Sequence, residues 1–305
     1  MVAWLRKVAT SSWLPRLRHG FIPLALVFLA YSAYRASGSL LPLLAAVSVP
    51  HLLLACLLWG LAQWIGPLAS LAMARILDIG LGYRELALIS VLRLPAKYLP
   101  GGIWQSVARF AAYQRLAIKN SDSIIILIVE HVFALGTSVA LGSALLLSAT
   151  QAVNTLHIAA GLLFFAIIGL LLGSTWLRYK QNHAQGALPW ILKLTLSTCL
   201  FWMFATASFC AYWVAVFGND GADIRLVGSS YLLSWAAGFV VIFSPQGLGV
   251  FEWVAAHLVP SAHSLSVVVT AVAGFRMITI IGDLSAWSLG LVVSRCRHRA
   301  PESCP

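Results

Sequence analysis

Four charged side chains stand where an apolar chain should exclude them: Glu130 in Ile124-Ile-Ile-Leu-Ile-Val-Glu130-His131, Arg276 in Val272-Ala-Gly-Phe-Arg276-Met-Ile, Glu252 and Asp283. An Arg or a carboxylate at the bilayer centre costs about 2.5–3.5 kcal/mol on insertion scales, so such groups face a bundle interior and take partners. Asp283 follows Arg276 by seven residues, two turns along one helix face. Two readings stand. Either Glu130, Glu252, Arg276 and Asp283 form a buried ion-pair cluster that ties the protein together, or they line a cavity and there bind a polar headgroup or carry a proton.

Two glycine-proline breaks flank these charges. The first is Lys97-Tyr98-Leu99-Pro100-Gly101-Gly102-Ile103-Trp104, and the second is Ser244-Pro245-Gln246-Gly247-Leu248-Gly249-Val250-Phe251-Glu252. Non-helical backbone at membrane depth is tolerated only inside protein or along a watery cavity. Lys97, Arg93 and Arg109 put positive charge around the first break, where exposed amides at Gly101 and Gly102 would suit a phosphate. The plainer reading makes Arg93 and Lys97 surface anchors, and Tyr98 and Trp104 members of an interfacial aromatic belt. The five cysteines show no Cys-x-x-Cys pair and read as packing residues. The eight histidines are scattered, and His131 reads as a hydrogen-bonded core residue. No zinc spacing, phosphate-loop signature or Ser-His-Asp arrangement is present, so neither a cofactor nor a metal is expected.

The elements that must position these groups follow from composition. Hydrophobic residues make up 60% of the chain and charged residues 10%, with a mean hydropathy of +0.89. Such a chain is a polytopic all-α membrane protein. Full spans are predicted near 21–36, 51–74, 123–148, 155–177, 189–217 and 265–293. Two pairs of shorter segments, 84–98 with 103–118 and 225–243 with 247–260, fold about the breaks as re-entrant helical hairpins. The basic arm 1–20 (Arg6, Lys7, Arg16, Arg18) and the basic tail 294–305 (Arg295, Arg297, Arg299) place both termini in the cytoplasm by the positive-inside rule. The net charge of +11 is therefore mostly topological, and no nucleic-acid partner is expected.

Span, span, hairpin, span describes residues 21–148 and again residues 155–293. Each half holds an odd number of crossings, so the second is inserted upside down, an inverted repeat typical of secondary transporters. Glu130 follows Pro100 by 30 residues and Arg276 follows Pro245 by 31, so an acid and a base occupy matching places.

The first break with its trailing Arg109 and Glu130, and the Pro245-Gln-Gly-Leu-Gly-Val-Phe-Glu252 break followed by Arg276, resemble the lysylphosphatidylglycerol synthase transmembrane-region family over roughly residues 20–293. This is the membrane module of bacterial aminoacyl-lipid synthase/flippases. Two positions depart from that pattern: Glu130-His131 stands where a Glu-Arg pair is common, and Ser-Pro-Gln-Gly where Pro-Gly-Gly is frequent. The resemblance implies movement of lipid across a bacterial inner membrane. The soluble synthase domain is absent from these 305 residues, so aminoacyl transfer is not expected.

The expectation is therefore a flippase for an anionic phospholipid or a polyprenyl-phosphate-linked lipid. Lys97, Gly101, Gly102, Arg109, Glu130, Gly247, Gly249, Glu252, Arg276 and Asp283 are its headgroup-binding candidates. One alternative is a non-transporting partner of a lipid or glycan biosynthetic enzyme; a second copy of the chain also stays open as a partner. A further alternative is a lipid-linked glycosyltransferase, whose outer-face carboxylate would have to come from Asp220 or Asp223.

Overall fold

The computed structural model describes residues 27, 30, 31, 34, 45–98, 103–150, 153–180, 187–218, 222–241, 247–259, 261 and 263–296. All regular structure among them is helical: α1 (Val49–Ile65), α2 (Pro67–Ile76), α3 (Tyr83–Val91), a 3-10 segment (Leu94–Tyr98), α4 (Trp104–Arg115), α5 (Asn120–Ala149), α6 (Val153–Lys180), α7 (Ala187–Phe217), α8 (Ile224–Val240), α9 (Val250–Leu258) and α10 (Leu265–Cys296). Four stretches among the described residues are long and apolar enough to cross a membrane: Val49–Ile76, Asn120–Ala149, Leu188–Phe217 and Leu265–Arg295. The protein is membrane-integral. The expected spans 51–74, 123–148, 189–217 and 265–293 lie within these stretches, and 155–177 lies within α6. The expected span 21–36 falls almost wholly outside the described residues.

Proline and glycine set the boundaries. Gly66 keeps its N–H bonded to Ala62, and Pro67, which has no N–H to continue the ladder, opens α2. α3 begins where the Gly82 amide donates to Glu85 Oε2 at 3.0 Å. α9 begins the same way, with the Gly249 amide donating to Glu252 Oε2 at 2.6 Å. Gly249 has φ +83°, a conformation that glycine adopts without penalty. α3 and α9 have nine residues each, about 13 Å of rise, too short to span a core of about 30 Å. α10 stays helical through Cys296, with Arg295 in its last turn.

Among the described residues two large apolar cores divide the bundle, beside a small third cluster of Val91, Leu94 and Ala286. One gathers Met73, Leu86, Tyr113, Ile126, Phe133 and Leu194 from α2, α3, α4, α5 and the start of α7. The other is aromatic, with Trp202, Phe209, Tyr231, Phe251 and Phe275 from α7 to α10. Phe209 stands edge-on to Phe275 at 5.0 Å and stacks with Tyr231 at 5.1 Å. α8 packs along α5, and α3 with the 3-10 segment packs on α10. The α5–α8 contact is close because a side chain at Gly142 would lie 3.0 Å from Leu232 Cβ.

Candidate functional site

Glu130 lies ten residues into α5 and Arg276 eleven into α10, about 15 Å from each helix start by rise. The charges resolve into pairs, each seated on a different combination of elements. Arg109 of α4 grips Glu130 with two prongs, Nη1 to Oε2 at 2.8 Å and Nη2 to Oε1 at 3.1 Å. Its Nη2 also donates to Ser70 Oγ and to the Tyr113 hydroxyl, both at 3.0 Å. Arg109 is buried. This pair sits beside the core formed by α2, α3, α4 and α5, with side chains 10% and 11% exposed.

Glu252 is wholly buried and serves two donors at once. Oε2 caps the start of α9, while Oε1 accepts from Arg276 Nε at 2.6 Å. Charge-assisted bonds of this length are about twice as strong as neutral ones, so Glu252 fixes both the short helix and the guanidinium. Arg276 keeps a side-chain exposure of 26%.

Asp283 is the convergence point. Buried itself, its Oδ1 accepts from Trp59 Nε1 at 2.8 Å and its Oδ2 from the Tyr98 hydroxyl at 2.5 Å, and it is ion-paired with Lys97. The Lys97 ammonium also lies 5.5 Å from the Trp59 ring and 5.3 Å from the Tyr98 ring, within cation–π range. Tyr98 also stands within electrostatic reach of Arg276. Thus α1, the 3-10 segment and α10 meet at one carboxylate. Gly282 makes the approach possible, since a side chain there would lie 2.7 Å from Trp59 Cδ1.

The structure therefore brings Lys97, Tyr98, Asp283, Arg276 and Glu252 to one face and seats Arg109 with Glu130 in the other core. Tyr98 is a hydrogen-bond donor to Asp283 and not simply an interfacial belt residue. Lys97 is a partner of Asp283 and not only a surface anchor. Arg93 caps α3, donating through Nη1 to the Leu88 and Ile89 carbonyls at 3.2 Å each. Gly101 and Gly102 lie outside the described residues, as do Pro100, Pro245 and Asp220. Gly247 has φ +68° and sits against Gly238 of α8, where a side chain would come within 2.8 Å of the Gly238 Cα. The second break thus folds back onto α8 backbone to backbone.

Sequence reading missed Trp59, Ser70, Tyr113 and Tyr231. Trp59 carries an N–H at mid-span, which needs a buried acceptor. Tyr231 is buried, lies within electrostatic reach of Asp283 and has no hydrogen-bond partner among the described residues. A further overlooked signal is the cap sequence Gly-Leu-Gly-x-x-Glu, which occurs at 80–85 and again at 247–252. Both copies fold as the same capped helix start. Compared with known proteins, the chain matches no family model and no curated sequence.

Proposed function

We propose that this protein carries an anionic lipid headgroup across the bilayer, in the manner of the lysylphosphatidylglycerol synthase transmembrane-region family that its motifs resemble. One observation supports this reading above the rest. Lys97 and Arg276 come from different halves of the chain and each hold a buried carboxylate, yet keep 19% and 26% of their side-chain surface exposed. A cation neutralised by a partner can stay within an apolar bundle, and one with surface to spare can exchange part of that pairing for a phosphate oxygen. Asp283 and Glu252 then hold the two cations in place while the headgroup passes.

The same reading takes the two halves as inverted repeats with opposed re-entrant hairpins. It is supported by an exchange of charge: after each break a short helix is ion-paired to the long helix that follows, Arg109 with Glu130 in the first half and Glu252 with Arg276 in the second. It is supported too by reciprocal packing, because the first arm of each hairpin lies on the long helix of the other half.

The test is transbilayer movement of a labelled anionic lipid in reconstituted vesicles. Protein should speed the movement, and Arg276→Ala and Lys97→Gln should each abolish the gain. Wild-type rates equal to those of empty vesicles, across phosphatidylglycerol and polyprenyl-phosphate probes, would overturn the proposal.

A further inference from the structure

Among the described residues, arginine holds two of the largely buried acid–base pairs and lysine holds the third. The difference is chemical. A guanidinium stays protonated inside a protein and binds through a rigid fork, so Arg109 with Glu130 and Arg276 with Glu252 are fixed as charged pairs. An ammonium is a point charge on a flexible four-carbon stem and can swing from one oxygen to another. Lys97 also sits on the short 3-10 segment, whereas Arg109 and Arg276 are carried by α-helices. Lys97 with Asp283 is therefore the pair that can separate.

Separation leaves a chemical problem at Asp283. The residue is 1% exposed, and its other two partners, the Trp59 N–H and the Tyr98 O–H, are neutral. An ionised carboxylate without a counter-charge is too costly to keep in an apolar interior, and such a group takes up a proton instead. The neighbouring elements offer no replacement cation. Arg276, two turns earlier on α10, is engaged by Glu252 of α9. α1 brings the thiol residue Cys56, whose carbonyl lies against Gly282. α3 meets α10 through Val91 and Leu92 against Gly290, and its Arg84 reaches α10 ten residues further on, at the Val293 carbonyl. From α7, the Tyr212 hydroxyl is committed to the Ala271 carbonyl.

A protonated acid needs what the charged form does not, an acceptor for its own O–H. Trp59 and Lys97 can only donate, whereas a tyrosine hydroxyl can do either. Tyr98 can reverse its role, and Tyr231 of α8 supplies a second hydroxyl. That group is buried, within electrostatic reach of Asp283 and without a hydrogen-bond partner among the described residues. Phe275 stands edge-on to Trp59 and to Tyr231, each at 5.8 Å, so one ring separates Tyr231 from the indole that binds Asp283. A buried hydroxyl with nothing to bind calls for an explanation, and service to the protonated state provides one. We propose, resting on the lipid-carrier reading above, that Asp283 is a proton-binding site linked to the headgroup. When a lipid phosphate takes the Lys97 ammonium, Asp283 Oδ takes a proton from water, an O–H bond forms, and the tie between the 3-10 segment and α10 is released. When Lys97 returns, the proton goes back to water. The site is neutral in both states: ammonium with carboxylate in one, ammonium with phosphate beside an uncharged acid in the other.

The experiment is infrared difference spectroscopy of the full chain at neutral pH, in alkyl maltoside micelles that carry no carbonyl of their own. It reads the carbonyl stretch of a protonated carboxyl, with Asp283→Asn as the subtraction. Wild type alone should show no Asp283 band. Lys97→Gln, which removes the ammonium, should show it, and Lys97→Gln with Asp283→Asn should lose it again; Lys97→Met serves if the first variant does not elute as a folded protein. Added ether-linked phosphatidylglycerol or polyprenyl phosphate should bring the band out in wild type, and ether-linked phosphatidylcholine should not; whichever anionic probe succeeds names the source of the phosphate. A band present in wild type without lipid, or absent from both Lys97 variants, overturns the inference. Protein that moves lipid although neither anionic probe brings out the band removes this inference alone. An Asp283 band in the Lys97 variants of a protein that moves no lipid removes the carrier reading and leaves the proton site standing.

Discussion

Replacing Arg109 and Glu130 singly and together tests whether that pair is structural. Either single change, Arg109→Met or Glu130→Leu, leaves its partner's charge largely buried, and breaking a buried pair in this way costs about 3–5 kcal/mol. The double variant removes both charges and leaves two apolar side chains of similar volume. Its remaining cost is the Ser70 and Tyr113 hydroxyls, which lose a bond from Arg109 Nη2; a stranded buried hydroxyl costs about 1–3 kcal/mol. The double variant should therefore lie about 2–6 kcal/mol below wild type, against the roughly 6–10 kcal/mol expected from additive singles. The assay is reversible unfolding in mixed micelles followed by tryptophan fluorescence, with the four proteins closed into a cycle. Lipid movement by the double variant should match wild type. Additive losses, or a stable double variant that no longer moves lipid, would refute a purely structural role for the pair.

Three further outcomes follow from the geometry. Asp283→Asn removes the charge that holds Lys97 and should raise the reaction of Lys97 with a small amine reagent severalfold, read by mass spectrometry; unchanged reactivity would show that the carboxylate does not hold the ammonium. Gly247→Ala forces a side chain into a left-handed backbone, costing roughly 1–2 kcal/mol, and into the Gly238 Cα, so a lowered melting temperature is expected, deeper than that of Ala at the exposed Leu188. Asp223, at the exposed start of α8, accepts from the side chain and backbone of Arg225, which holds its carboxyl below the usual range. With the folded value depressed, its support for α8 is present above the unfolded pKa and is lost as pH falls through the folded one. Amide exchange at the start of α8 should therefore quicken, relative to the intrinsic rate, on acidification, and Asp223→Asn should remove that pH dependence.

Helix class and the membrane assignment were legible because they depend on composition and run length alone. α5 and α10 carry a charge in the middle of an apolar run, which marks both the helix and its buried face. Glu252 was legible as a residue of interest because it closes a glycine-proline break. Its double duty was not, since a cap carboxylate looks the same in sequence whether its second oxygen faces solvent or an arginine. Tyr98 read as a belt residue for a similar reason: a tyrosine beside a break is ordinary, and its acceptor lies 185 residues away.

The sequence by itself determined which side chains must find partners, because the cost of burying a charge in hydrocarbon is set by residue type and neighbours. It determined the matched spacing of Glu130 and Arg276 from the two breaks as well. Tertiary structure alone decided who pairs with whom. Arg109 turns inward to Glu130, which makes that pair part of a core; Lys97 reaches across to Asp283 because α10 passes the 3-10 segment and Gly282 lets Trp59 close on the same carboxylate. Ion pairing depends on distances of a few ångströms between segments far apart in the chain, and those distances exist only after the helices have packed.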